Sequence, residues 1–143
     1  MHMATDRRRL LECAALLQRI SVIHESVAVQ AMRELGAPPS AVGLLWLLSN
    51  DLPEMSMRNL ARELSCDPSS VTLQAAALEE SGLVERVPDV ADRRRRIPRL
   101  TLRGRAAGTA LADAVAGASP LTGLDEYQLG TIVDLFQRVW PAR

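Results

Sequence analysis

A stripe at helical spacing opens the chain: Leu10, Ala14, Leu17, Ser21, His24, Ala28, Ala31 and Leu35, apolar at every position but Ser21 and His24. It predicts one helix over 8–35, continuous for about four heptads and longer than a surface helix needs. A terminal helix with such a face requires a partner. Gly36 and the pair Pro38-Pro39 mark its end. The next segment, 41–49, holds Val42, Leu44, Leu45, Trp46, Leu47 and Leu48 and is apolar on nearly every side, so a buried helix is expected, with Ser40 as its N-cap. Residues 50–55 read as a loop. Ser56 suits the N-cap of a third, short helix over 57–64. After a turn at Ser65-Cys66, Asp67 and Pro68 supply an N-cap and a first-turn proline for a fourth helix over 68–81, which stops at Gly82.

Then the period changes. Residues 83–87 and 97–102 are short β-compatible stretches on either side of a polar, arginine-rich tip, which predicts a two-stranded ribbon. Pro98 has no N–H to give to a ladder, so that strand should turn its residue-98 side to solvent. Thr101 is placed to cap a fifth helix reaching to about 116, broken by 117–120. Asp125 with Gln128 forms a capping box for a last helix, whose apolar face is Leu129, Ile132, Val133, Phe136, Val139 and Trp140. The chain holds no internal repeat and no low-complexity tract. With 143 residues it has room for one domain with a real core.

Composition supports the helical reading. The apolar share is 48%, yet only Trp46, Tyr127, Phe136 and Trp140 are aromatic, so Leu, Ala and Val dominate, a mix that favours helix. Formal net charge is zero, but it is unevenly spread. Between Arg86 and Arg105 lie eight arginines against Asp89 and Asp92, a local balance of +6 that the remainder offsets. A basic stripe on a neutral protein is the footprint of a polyanion site. The chain has no lysine. Cys13 and Cys66 stand in no metal-ligand spacing and do not form a disulfide framework, which favours a reducing compartment. No leader is read at the N-terminus, and the longest uncharged run, 35–50, is too short and too broken by proline to span a bilayer. A soluble cytoplasmic protein is expected, with no membrane role.

Two short helices across a tight turn, followed directly by a basic ribbon, form a winged helix-turn-helix. A helix fits the major groove of B-DNA, where each base pair shows a distinct donor and acceptor pattern. An arginine-tipped hairpin suits the narrower minor groove beside it. The fold class expected is therefore mainly α with a small two- or three-stranded β wing.

In 56–104 the chain resembles the MarR family of bacterial transcription regulators. The resemblance rests on 59–64 (Asn-Leu-Ala-Arg-Glu-Leu), 67–72 (Asp-Pro-Ser-Ser-Val-Thr) and 78–86 (Leu-Glu-Glu-Ser-Gly-Leu-Val-Glu-Arg). Its most specific part is the wing, Asp92-Arg93-Arg94-Arg95, followed by Leu100-Thr101-Leu102-Arg103-Gly104. The resemblance implies one domain over 1–143, with dimerisation helices in 1–37 and 105–143 around a DNA-binding lobe in 38–104. It implies a homodimer on a pseudo-palindromic operator in double-stranded DNA, usually a repressor, released by a small aromatic ligand or another signal. It also implies that Ser69, Ser70, Thr72, Leu73 and Gln74 face the groove, with Gln74 suited to a bidentate contact with adenine. Arg94 would enter the minor groove, Asp92 would orient the arginines around it, and Arg93, Arg95 and Arg96 would meet phosphate. Three positions depart from the family pattern: Leu73 where many members carry arginine, Val90-Ala91 at the wing tip, and Pro98 in place of a β-branched residue.

Other residues carry open alternatives. Cys13 is either a bystander thiol or a redox sensor, since the peroxide-sensing branch of the family has a reactive cysteine in a similar region, supported by tyrosines; Tyr127 is the only tyrosine here. His24 is either a core or interface histidine or, with Trp46, part of a ligand pocket. A metal site is not expected, as the only other histidine is His2. No cofactor is implied, and no nucleophile with a base or paired carboxylates suggests an enzyme. A winged-helix interaction protein that has lost DNA binding is the alternative from a different class, motivated by Leu73 and the zero net charge.

Overall fold

The computed structural model describes the backbone of residues 2–50 and 54–140 and the side chains of 6–50 and 54–140. Residues 51–53 of the predicted 50–55 loop, and the His2 side chain, lie outside the described residues. The element order is α1 (His2–Glu34), α2 (Val42–Ser49), α3 (Met57–Glu63), α4 (Pro68–Glu80), β1 (Val84–Pro88), β2 (Arg96–Leu100), α5 (Leu102–Ala118) and α6 (Glu126–Val139). The fold is mainly α with a two-stranded wing, as the periodicities predict.

Three of these helices end in the same way. At α1 the amide of Gly36 donates to Arg33 O and that of Ala37 to Met32 O, each at 3.0 Å. At α4 Gly82 and Leu83 repeat the pattern onto Glu79 O and Leu78 O. Both glycines take φ of 70°, the left-handed step this terminator needs. At α3 the pattern recurs with Ser65 and Cys66 bonding Arg62 O and Ala61 O, but the left-handed residue is Ser65, at φ 52°. The turn of the helix-turn-helix is therefore made by a residue with a Cβ, at a steric cost that glycine avoids.

The start signals are realised unevenly. Ser56 Oγ accepts from Asn59 N at 3.3 Å, and Asp125 with Gln128 closes a full capping box on α6. Thr101 caps α5, accepting from Gly104 N at 2.9 Å. Asp67 holds the N-cap position of α4 with Pro68 behind it, yet its carboxylate makes no capping bond. Ser40 does not cap α2: it lies inside a 3-10 turn, Pro39–Ala41, and Ala41 is the N-cap. Two prolines fix that turn without a side-chain acceptor. α5 also runs past the expected break, to Ala118, because Gly117 costs a helix interior only about 1 kcal/mol.

The chain divides into two compact units, Glu25–Val115 and Met1–His24 with Ala116–Arg143. The first has a closed core. Met32, Leu44, Leu45, Val71, Ala75, Leu78 and Leu111 are each 0% exposed, joined by Leu60, Leu83 and Val84. In α4 the buried set is Val71, Ala75 and Leu78, the i, i+4, i+7 spacing of one helix face. Arg103 spans two helix ends, donating to Ser81 O at 2.9 Å and to Leu35 O at 3.4 Å, a cation where helix dipoles are negative. The second unit contains helix and a second 3-10 turn, Pro120–Gly123, and none of its described residues is fully buried.

Candidate nucleic-acid interface

β1 and β2 pair antiparallel with Val84 opposite Leu100, Glu85 opposite Arg99 and Arg86 opposite Pro98. Ladder bonds at Thr101 N–Leu83 O and Asp89 N–Arg95 O put Arg86 and Pro98 at a position where no ladder bond forms. Pro98 therefore sacrifices no ladder bond. Its ring, however, is buried rather than turned to solvent, because that face of the strand forms the wall of a cavity.

The structure splits the arginine stripe in two. Four of its eight members serve the lobe itself. Arg86 donates to Glu79 Oε2 at 3.2 Å and to Thr72 O at 3.3 Å, tying the wing's first strand to α4. Arg99 bonds Glu85 Oε1 across the ribbon at 3.1 Å, Arg103 joins the helix ends, and Arg105 donates to Leu100 O at 3.2 Å. The other four form the wing tip. Asp92 organises it: Oδ1 accepts from Arg94 N at 3.1 Å, and Oδ2 pairs with Arg95 Nε at 3.3 Å. Arg96 reaches Arg86 O at 3.4 Å. Arg93, Arg94 and Arg96 are exposed, and among the described residues none of them is paired with a carboxylate. Val90 stands beside them, 86% exposed. No periodicity separates these two groups; only contact does.

On α4, Ser69, Thr72 and Leu73 are exposed and Ser70 is half-buried. Gln74 departs from the expectation. It is half-buried, and its Oε1 is enclosed with no hydrogen-bond partner. It sits three residues after Val71, on the flank of the core stripe, so the oxygen a bidentate adenine contact requires is turned away from solvent. Cys13 is exposed and Cys66 half-buried, both as free thiols, and Tyr127 is exposed.

A cavity of about 500 Å³ lies within the larger unit, lined by Trp46, Met55, Leu60, Pro98, Arg105 and Thr109 among others. Trp46 forms part of the cavity wall. His24 belongs to the other unit, where its Nε2 is enclosed with no hydrogen-bond partner among the described residues. The signal that the sequence reading missed is Arg105, a cation in the cavity wall that looked like part of the basic stripe.

A short helix, a tight turn, a second helix and an arginine-tipped antiparallel ribbon define the class, a winged helix-turn-helix. The model of the MarR family matches residues 39–95. Solved structures share the fold across most of the chain. CouR from Rhodococcus jostii RHA1, bound to p-coumaroyl-CoA, is 24% identical, with 90% of this chain and 92% of that one covered and a TM-score of 0.70. A MarR-family transcriptional regulator from Rhodococcus sp. RHA1 is 22% identical, with 92% and 96% covered and a TM-score of 0.72. A MarR-family protein of Mycobacterium tuberculosis, solved in complex with DNA, is 26% identical, with 89% and 96% covered and a TM-score of 0.62. Comparison with curated proteins found no match. Among the described residues, no helix is long and apolar enough to cross a membrane.

Proposed function

We propose that the chain is a sequence-specific DNA-binding transcription regulator that acts as a homodimer on a pseudo-palindromic operator. The observation that carries this reading is the wing: Arg93, Arg94 and Arg96 are exposed, with no carboxylate partner among the described residues, on a ribbon that Arg86 ties to α4. Arg94 enters the minor groove, while Arg93, Arg95 and Arg96 meet phosphate. Ser69, Ser70, Thr72 and Leu73 face the major groove. Segments 1–37 and 105–143 join two copies around the lobe of 38–104. The regulator is a repressor, and a small aromatic ligand held against Trp46 in the cavity releases it; the complexes of related structures, one with p-coumaroyl-CoA and one with DNA, support the binding of a small ligand and of DNA.

The test is titration against fragments of the source genome at two salt concentrations. A DNA-binding lobe loses affinity steeply, with a log–log slope near −0.9 per neutralised phosphate. A flat response would favour the second reading, a winged-helix interaction protein, which the zero net charge and the exposed Leu73 motivate.

A further inference from the structure

The helix that would lie in the major groove lacks the groups that read guanine. α4 carries no basic residue, whereas guanine O6 and N7 are acceptors best met by Arg or Lys. Its C-terminal end is acidic, with Glu79 and Glu80 exposed, so contact with a polyanion belongs to its first two turns. There the outward surface is Ser69, Thr72 and Leu73. Leu73 is 73% exposed, while the other large apolar residues of the helix, Val71 and Leu78, are both at 0%. Thr72 has already committed its hydroxyl proton: Oγ1 donates to Pro68 O at 2.9 Å, which leaves its methyl as the unengaged group beside Leu73. Gln74 is half-buried, and its Oε1 is enclosed with no hydrogen-bond partner among the described residues.

Beside the Ser69 hydroxyl, what remains on this surface is apolar, and the apolar feature of a major-groove base edge is the C5-methyl of thymine. We propose that Leu73 is a specificity-determining residue that recognises thymine through this methyl group, with the Thr72 methyl beside it. This rests on the DNA-binding reading above. An exposed leucine gains free energy by leaving water on contact with a methyl, and gains nothing against the polar edges of guanine or cytosine. The hydrogen-bonding part of recognition then falls to the serines and to the arginines of the wing.

The probe is a short duplex recovered by the full chain from a randomised pool, synthesised with thymine or with deoxyuridine in the half-sites. That exchange deletes the methyl and keeps every hydrogen-bonding group. The full chain is expected to bind the deoxyuridine duplex about three- to tenfold more weakly for each half-site exchanged, the effect of one buried methyl at each. Leu73→Ala is expected to bind both duplexes alike, and Leu73→Met to keep the preference; neither side chain is in the core, so both variants fold. Equal losses in wild type and Leu73→Ala, no loss at all, or a recovered consensus without thymine would each overturn the proposal. Failure to recover any duplex in a salt-sensitive manner removes the DNA-binding reading itself, and is seen before deoxyuridine is used.

Discussion

Glu25–Val115 buries Met32, Leu44, Leu45, Leu78 and Leu111 completely, whereas Met1–His24 with Ala116–Arg143 leaves its largest apolar residues in the open. In that second unit Leu10 is 69% exposed, Val139 81% and Trp140 78%, with Leu17, Val133 and Phe136 about half exposed. Single exposed leucines are ordinary, but exposure repeated along the helices of one unit leaves its apolar area unburied by the unit itself. The two regions are held by different means. The lobe draws on its own core and on helix ends closed by backbone bonds. The helical unit has the capping box of Asp125 and Gln128, yet helices of such length gain most of their stability from packing. A second copy of the chain, as proposed above, would supply it.

The strongest way to break this contrast is Phe136→Asp. The lobe should stay folded while sedimentation shifts from dimer to monomer, and operator affinity should fall by about 10²–10⁴, the worth of linked half-sites. A dimer that survives the substitution would remove the second copy from the account. Next in size, Leu78→Ala should cost the lobe about 2–5 kcal/mol in chemical denaturation, because it empties a closed core. A cost as small as that of a surface change would mean that the lobe is not self-sufficient. Arg94→Ala should leave both units folded and weaken DNA binding by about 1–3 kcal/mol, chiefly on A·T-rich flanks. Unchanged affinity would count against the wing. Smallest of all, Ser65→Gly should raise the melting temperature slightly, by up to about 1 kcal/mol in stability, because glycine accepts the left-handed step without strain.

Much of this was legible from residue order. Caps at Ser56, Thr101 and Asp125 and stops at Gly36 and Gly82 are local devices: donor, acceptor and dihedral lie within a few residues, so their spacing is visible in the chain. Ser65 was not legible as a stop, since its left-handed conformation is imposed by the turn and not by its own preference. Ser40 was misleading because two prolines had already set the geometry that a cap would have set.

Residue order alone therefore determined the helices, the ribbon and the presence of a basic wing, because each depends on periodicity or on contacts a few positions apart. Only the tertiary structure decided which arginines are available. Arg86, Arg99, Arg103 and Arg105 find acceptors brought to them by folding, while Arg93, Arg94 and Arg96 meet no carboxylate among the described residues. It likewise decided that the Gln74 oxygen is enclosed, that Trp46 lines a cavity and that Leu73 stands in solvent. The physical reason is the same each time: a charge or a polar atom is free or engaged according to neighbours distant in sequence, and no local pattern encodes them.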